Sequence, residues 1–158
     1  MKRLVLKNIV GWFLVHMIVS IGVALIPIQQ LRRIRPYFRN FRNEADVLKR
    51  YLHIRRWKDQ LPESSQFLFL SYDKSHFNEH TEDLVERFLL EVNRAELTHW
   101  LSMAPFPLFF LWNPPRYRAI HVVYAVMSNL PFILVQRYNR IRLERVLKKM
   151  NQRHSKTP

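Results

Sequence analysis

The sequence predicts an all-α integral membrane protein, and three observations support this fold class. No Asp, Glu, Lys or Arg occurs from Asn8 to Leu31, from Leu97 to Pro115 or from Ala119 to Gln136, and roughly 20 such residues cross a bilayer as a helix. The remaining sequence is strongly basic, with 26 Lys and Arg against 12 Asp and Glu. Between the uncharged runs, apolar residues recur at helical spacing. We therefore expect an N-terminal transmembrane helix, amphipathic interfacial helices, and a proline-broken helix with a return helix near the C-terminus.

Composition limits the number of domains and the available chemistry. A chain of 158 residues fits a single membrane-embedded domain. It contains no cysteine, which excludes disulfides, thiolate catalysis and zinc-thiolate sites. Its only glycines are Gly11 and Gly22, so a glycine-rich phosphate loop is excluded. We expect neither a cofactor nor a metal.

The net charge of +14 points to an anionic partner. A basic excess of this size is typical of proteins that bind nucleic acid, anionic lipid or an anionic substrate. The three uncharged runs favour membrane lipids as partners and oppose a soluble nucleic-acid binder. We expect the protein to be integral to the cell membrane.

The first element is a transmembrane helix over residues 8–31. A cleaved signal peptide is the alternative, because Lys2, Arg3 and Lys7 form a basic start. However, the apolar run continues to Ile28, beyond the usual length of the apolar region in a signal peptide. We expect a retained anchor.

Residues 32–80 form a basic segment that we place at the cytoplasmic membrane interface. Five arginines follow the first span closely and suit a surface of anionic headgroups: Arg32, Arg33, Arg35, Arg39 and Arg42. The run from Asp46 to Gln60 is compatible with a helix that Pro62 ends. The apolar run from Phe67 to Leu70 is a strand or an interfacial loop, and its periodicity does not decide between them.

A helix is predicted over residues 81–100. Thr81 is a suitable N-cap and is followed by two acidic residues, Glu82 and Asp83. The apolar positions then follow helical spacing at Leu84, Val85, Phe88, Leu89, Val92 and Ala95. The same stripe continues to Glu96 and His99, although an apolar stripe does not normally end in an acid and a base.

Residues 101–136 are predicted to form a membrane hairpin, followed by a basic tail over 137–158. Four prolines break the first limb, which favours a broken or re-entrant helix over a regular span: Pro105, Pro107, Pro114 and Pro115. The segments after Leu31 and after Val135 are both basic. The positive-inside rule places both in the cytoplasm and the amino terminus outside.

Glu96 and His99 are the candidate catalytic residues. At positions i and i+3 they lie side by side on a helix, where a carboxylate can orient an imidazole that removes a proton from a hydroxyl. Acyl transfer to an alcohol needs this chemistry. The alternative is a polar pair that caps the helix at the lipid interface. A di-iron site would need a second Glu-x-x-His motif, which the chain lacks.

The candidate substrate-binding residues flank this pair or lie at membrane boundaries. An ion-pair ladder along one helix face is formed by Arg87, Glu91 and Arg94. The alternative for Arg94 is that it binds a carboxylate or phosphate of the substrate. Trp57 with Lys58, and Trp100, suit the membrane interface. In such positions an Asn usually bonds a neighbouring helix, and an Arg can bind an anionic headgroup. The other candidates are polar residues on the last apolar run or directly after it: Asn129, Gln136, Arg137, Tyr138, Asn139 and Arg140.

Three stretches resemble the glycosyl-4,4'-diaponeurosporenoate acyltransferases, small membrane proteins of staphyloxanthin-type carotenoid synthesis. They are R-R-W-K-D-Q-L-P from Arg55, E-V-N-R-A-E-L-T-H-W from Glu91, and N-L-P-F-I-L-V-Q-R-Y-N-R-I-R-L from Asn129. The match in order and spacing runs from about Arg55 to Lys149. The first 50 residues match only as an apolar span followed by a basic stretch.

The resemblance implies a membrane O-acyltransferase that esterifies a sugar hydroxyl of a glycosylated C30 carotenoid acid or a related glycolipid. The donor would be a fatty acyl thioester or a phospholipid, and other carotenoid-pathway enzymes would be candidate partners. The resemblance carries over no catalytic residues; from their own spacing we expect His99 to be the general base and Glu96 its orienting group. Arg94, Arg137 and Arg140 would bind the donor phosphate or the oxyanion. The alternative is a non-enzymatic basic scaffold subunit of a lipid-modifying complex.

Overall fold

The computed structural model describes residues 2–61 and 80–154, and within these ranges it contains helices and no strand. The predicted all-α class is therefore confirmed. The α-helices are α1 (Lys2–Ala24), α2 (Ile28–Ile34), α3 (Glu44–Asp46), α4 (Ile54–Trp57), α5 (His80–Met103) and α6 (Arg118–His154).

The predicted first span is divided into two helices. Helix α1 ends at Ala24, where the backbone N–H groups of Leu25 and Ile26 bond the carbonyls of Ile21 and Val23. Pro27 has no N–H and disfavours helical geometry at the residue before it. The chain therefore turns before α2 begins at Ile28.

The predicted helix over Asp46 to Gln60 is also broken. A π-helical turn, Val47–Tyr51, follows α3, and a 3-10 turn, Lys58–Gln60, follows α4. Between them His53 has a φ of 46°, in the left-handed region that an L-residue adopts only at a cost. The run from Phe67 to Leu70 lies outside the described residues.

Helix α5 carries the predicted apolar stripe. It begins at His80, one residue before the predicted start. Val85, Leu89 and Val92 are buried along one face. Glu96, one turn after Val92, is only 1% exposed, so the stripe does end in a buried acid.

The proline-rich segment contains no long helix, and the last helix is longer than the predicted return limb. Residues after α5 form only short 3-10 helices, Phe106–Leu111 and Pro115–Tyr117, so the first limb is not a helix of spanning length. Helix α6 continues through Pro131 and includes most of the predicted basic tail. A proline within such a helix is tolerated where side chains or water satisfy the freed carbonyl.

The chain divides into two compact units. The first consists of Met1–Pro27 and Arg94–Ile133, and the second of Ile28–Asn93 and Leu134–Pro158. In the first, Trp12, Phe109 and Ala125 form a buried cluster. The second has its own cluster, formed by Leu48, Ile54, Val135, Tyr138 and Ile141.

Two helical segments of the described chain are long and apolar enough to cross a membrane, Lys2–Ala24 and Pro115–Gln152. Helix α1 exposes most of its large apolar side chains, including Ile9 at 61% and Ile18 at 69%. A surface of this kind suits a lipid environment.

Candidate active site

The imidazole of His99 is held by Asn129, in the first unit. His99 Nδ1 lies 3.2 Å from Asn129 Oδ1. The Asn129 amide nitrogen donates to the Ala125 carbonyl at 2.9 Å and to Ser128 Oγ at 3.1 Å, so its oxygen faces the ring. That oxygen can only accept, and Nδ1 of His99 must therefore carry the proton. Among residues 2–61 and 80–154 no hydrogen bond to Nε2 is found, so its lone pair is left for a reaction.

The surroundings of His99 favour its neutral form. Burial lowers the pKa of His99, the hydrogen bond with Asn129 raises it, and the nearby His16 lowers it again, so that the net shift is downward. The ring also stacks on Phe132, with centroids 4.8 Å apart and planes inclined by 12°. A neutral imidazole with a free Nε2 is the form that a general base requires.

Glu96 lies on the same face of α5 as His99 and is engaged by a tryptophan. The indole Nε1 of Trp100 donates to Glu96 Oε1 at 3.3 Å. Trp100 is itself 42% exposed, and its place at the membrane interface remains a prediction. The expected role of Glu96 as the orienting group of His99 remains a prediction, and Asn129 is the residue seen to orient the ring.

Arg94 caps the end of α1. Its Nη1 donates to the carbonyls of Val23 at 2.8 Å, Ala24 at 3.0 Å and Ile26 at 2.8 Å. A cation at a helix C-terminus satisfies carbonyls that have no partner within the helix and complements the helix dipole. This contact gives Arg94 a structural role in addition to its expected anion-binding role.

In the second unit, Arg137 forms an ion pair with Glu44. Arg137 Nη2 donates to Glu44 Oε2 at 3.0 Å, and its Nε donates to Glu44 Oε1. The backbone N–H of Phe41 also bonds this carboxylate at 2.8 Å, and the guanidinium lies 4.8 Å from the Phe41 ring centroid. Glu44 is 6% exposed, so the pair is largely withdrawn from water.

Arg140 lies within an asparagine network of the same unit and is 1% exposed. Its Nε donates to Asn40 Oδ1 at 3.1 Å and its Nη1 to Asn93 Oδ1 at 3.4 Å. Asn40 in turn donates to Glu144. The expected anion-binding residues Arg137 and Arg140 are thus both engaged by polar side chains of the second unit.

The remaining predicted residues of the second unit are mostly packed inside it. Tyr138 is buried, and its hydroxyl accepts a hydrogen bond of 3.2 Å from Arg55 Nε. Trp57 packs against the apolar cluster, and its Nε1 donates to the Leu52 carbonyl at 2.8 Å. Gln136 and Asn139 are buried, whereas Glu91 and Lys58 are half-buried.

Glu44, Asn40 and Asn93 were not predicted as site residues from the sequence. Each makes its contact with a side chain far along the chain, about 50 to 100 positions away. For Asn93 a helical spacing was available as a signal, since it lies four residues after Leu89 and three before Glu96.

A cavity of about 590 Å³ in the first unit was also not predicted. It is bounded by one face of α1, one face of α6 and Asn113. Two histidines, His16 and His121, lie in its wall, and Trp12 Nε1 donates to His121 Nδ1 at 3.2 Å. The uncharged run of α1 contains His16 but gave no spacing that pointed to a site.

Comparison with known proteins identifies a family. The family model of glycosyl-4,4'-diaponeurosporenoate acyltransferase matches residues 36–149. Proteins of that name from Staphylococcus aureus strains bovine RF122 / ET3-1 and USA300 are each 32% identical over 148 residues, which is 90% of this chain and 89% of the relative. The protein from strain MRSA252 is 31% identical over the same length. No solved structure matches significantly.

The family match is consistent with the geometry around His99, because acyl transfer to an alcohol requires a base. It is also wider than the resemblance read from the sequence, since it begins at residue 36 rather than near Arg55. The chain therefore belongs to the glycosyl-4,4'-diaponeurosporenoate acyltransferase family and is an acyltransferase.

Proposed function

We propose that the protein transfers a fatty acyl group to a sugar hydroxyl of a glycosylated C30 carotenoid acid, or of a closely related glycolipid, within the cell membrane. The name of the relatives supports the glycosyl diaponeurosporenoate acceptor. The exposed apolar surface of α1 supports a membrane location, where a lipid acceptor and an acyl donor are both found. Other enzymes of carotenoid synthesis are candidate partners.

The observation that carries the proposal is the hydrogen bond between His99 and Asn129. Nε2 of His99 takes the proton of the sugar hydroxyl while the sugar oxygen attacks the carbonyl carbon of the acyl donor. The tetrahedral intermediate then expels the thiolate or alkoxide of the donor, which takes the proton from Nε2. The new ester bond forms as the donor's acyl bond breaks, and the imidazole returns to its neutral state.

Glu96 is proposed to stabilise the imidazolium that forms during this cycle. It lies three residues before His99 on α5, a spacing that brings helical side chains close together. The Trp100 hydrogen bond keeps the Glu96 carboxylate within this face of the helix. Trp100 would also border the acceptor sugar at the interface.

Arg94, Arg137 and Arg140 remain the proposed ligands of the donor phosphate or of the oxyanion. Arg137 and Arg140 are supported by their forked guanidinium groups, which bind phosphate and carboxylate in a bidentate manner. Five further residues are proposed to support Arg137 and Arg140: Trp57, Lys58, Gln136, Tyr138 and Asn139. Glu91 is proposed to pair with a neighbouring arginine.

The test is the substitution His99→Ala. Loss of a general base typically lowers the rate by about 10²–10⁴, so we expect unacylated glycoside to accumulate while the protein remains at normal abundance. Products are measured by mass spectrometry of membrane lipids, and protein by immunoblot.

Thr98→Ala is the matched control. Thr98 is the neighbouring half-buried residue, and its hydroxyl donates to the Arg94 carbonyl within the helix at 3.0 Å. We expect near-normal acylation in this variant. Wild-type acylation in His99→Ala would overturn the mechanism, and equal loss of protein in both variants would show that this turn of α5 is structural.

A further inference from the structure

The cavity of the first unit has the length and lining of a hydrocarbon site. Its volume of about 590 Å³ lies within the range of small-molecule pockets. On α1 it extends from Leu4 to His16, a distance of ~18 Å at the helical rise of about 1.5 Å per residue. Val5, Ile9 and Ile120 supply apolar wall on the two helices.

At one end of the cavity, two asparagine side chains are paired with each other. Asn8 and Asn113 bond each other in both directions, with two N···O distances of 2.9 Å. Trp112 Nε1 adds a third bond to Asn8 Oδ1 at 2.8 Å. These polar atoms satisfy one another, so a hydrocarbon tail can lie against them without leaving a polar group unbonded.

The other end presents His16. Its ring lies 5.9 Å from the Trp12 ring and 6.3 Å from the Tyr124 ring, measured between centroids. Within residues 2–61 and 80–154, no hydrogen bond to its ring nitrogens is found. His16 also lies near enough to His99 for its charge to affect the titration of that residue. Arg94, one turn and a half before His99, bonds the carbonyls at the end of α1, so the His16 end of the cavity is closer to the proposed base than the Asn8 end.

We propose that this cavity holds the unbranched acyl chain of the acyl donor, with the carbonyl end at His16 and the tail towards Asn8. The length favours this occupant. One acyl chain covers half of a hydrocarbon core about 30 Å thick, or ~15 Å, close to the length of the cavity. The polyene of a carotenoid acid is rigid and much longer. This inference rests on the proposed acyl transfer and adds the site that binds the donor.

The test is to block the far part of the groove with Ile9→Trp. Ile9 is 61% exposed, so the larger side chain can enter the cavity without disturbing a packed core. Roughly 10 Å of groove remain between residue 9 and His16. We expect palmitoyl transfer to fall at least about tenfold, in line with the selectivity of apolar pockets, while octanoyl transfer stays at the wild-type rate.

Ile18→Trp is the matched control. Ile18 lies on the same helix, is 69% exposed and does not line the cavity. It should leave transfer of both chains unchanged. Each variant is assayed with acyl-coenzyme A and with phosphatidylglycerol carrying the same chains, which identifies the source of the acyl group. Equal loss with both chain lengths, or no loss, would overturn the proposal; a higher KM for the glycoside alone would place the acceptor in the cavity.

A second measurement does not depend on turnover. Palmitate with a terminal diazirine, incorporated into the donor, should crosslink near Asn8 in the wild-type protein and lose that crosslink in Ile9→Trp. Labelling spread evenly along α1 would indicate membrane lipid rather than a bound chain and would overturn the inference. If the wild-type protein crosslinks here but acylates no glycoside, the proposed function fails and the cavity assignment stands.

Discussion

Among single residues, His99 shows how a distant side chain determines what an imidazole can do. Asn129 lies 30 positions further along the chain and is 1% exposed. Its amide is itself held by the Ala125 carbonyl, so its oxygen is turned towards Nδ1. When the tautomer of a base is fixed before substrate binds, no free energy is needed to reorganise the base during the reaction. The predicted substrate contact Asn129 thus also has a direct connection to the proposed base.

We predict that the acid limb of the pH profile lies below pH 6.5. Burial lowers the pKa of His99 below the ordinary value for histidine, which is about 6.5. The base must be neutral, so activity is retained at neutral pH and lost only as the pH falls through this lowered pKa. The measurement is the profile of kcat/KM against pH for the protein in detergent or liposomes, because kcat/KM reports the pKa of the base in the free enzyme. A limb above pH 7 would contradict the burial argument.

Two variants of Asn129 should move that limb in opposite directions. Asn129→Asp places a carboxylate beside the ring, which raises the pKa of His99 and shifts the limb to higher pH. Asn129→Leu removes a hydrogen bond that raises this pKa, so the limb moves lower while the maximum rate also falls. Variants that lose activity with an unchanged profile would show that Asn129 acts only in packing.

Among the helices, α6 is attached to the chain around α3 by the Arg137–Glu44 pair. The side chains of Arg137 and Glu44 are 15% and 6% exposed, so neither is well solvated. Removing one partner of such a pair leaves a charge that is buried and unpaired. The loss in free energy of unfolding is therefore far larger than when an exposed ion pair is broken.

We predict that Arg137→Ala lowers the stability of the protein by about 3–5 kcal/mol, as for other broken buried pairs. The thermal transition of the detergent-solubilised protein should shift down, and Glu44→Gln in the same chain should restore part of the loss. Arg142→Ala, an exposed arginine on the same helix, is the control and should change little. A stable Arg137→Ala protein that binds donor poorly would instead favour the anion-binding role.

How far the sequence predicted these elements depends on whether the signal was local. The stripe of α5 follows from spacing within one helix, and the structure buries Val85, Leu89 and Val92 as expected. Arg94 was expected to bind an anion, but its three backbone acceptors lie about 70 residues earlier. No periodicity reports such a contact, because it depends on how separate elements pack.

Breaks in helices were predicted only where a strong signal was present. The prolines from Pro105 to Pro115 indicated the end of regular helix, and short 3-10 helices are found there. Pro27 was overlooked because the uncharged run continues past it. The left-handed conformation of His53 was not predicted, because histidine adopts a positive φ more often than most residues but still uncommonly.

For the molecule as a whole, two features predict how it associates with a bilayer: its charge and its exposed apolar surface. Helix α1 has 23 residues, which gives ~34 Å at about 1.5 Å per residue and exceeds a hydrocarbon core of about 30 Å. The net charge of +14 alone could hold a protein on an anionic surface. Salt separates the two modes, because it screens attraction between charges and leaves apolar burial in place.

We therefore predict that the full-length protein remains in the membrane pellet after washing with high salt and with alkaline carbonate. The expected reason is that the apolar side chains of α1, such as Ile9 and Ile18, are withdrawn from water only while they contact lipid. The measurement is the fraction of protein in pellet and supernatant by immunoblot. Recovery of most of the protein in either wash would contradict an integral location.

The absence of cysteine allows the same protein to report which side each segment faces. Single cysteines introduced at Lys2 and at Lys149 can be labelled in intact cells with a maleimide that does not cross membranes. Because the basic segments after Leu31 and after Val135 favour the cytoplasm, we expect Lys2→Cys to be labelled from outside and Lys149→Cys only after lysis. Labelling of Lys149→Cys alone would reverse the orientation. Labelling of both positions would place both ends outside, while protection of both would place both in the cytoplasm. A carbonate-resistant protein with Lys2→Cys protected would still be integral, so the two measurements test insertion and orientation separately.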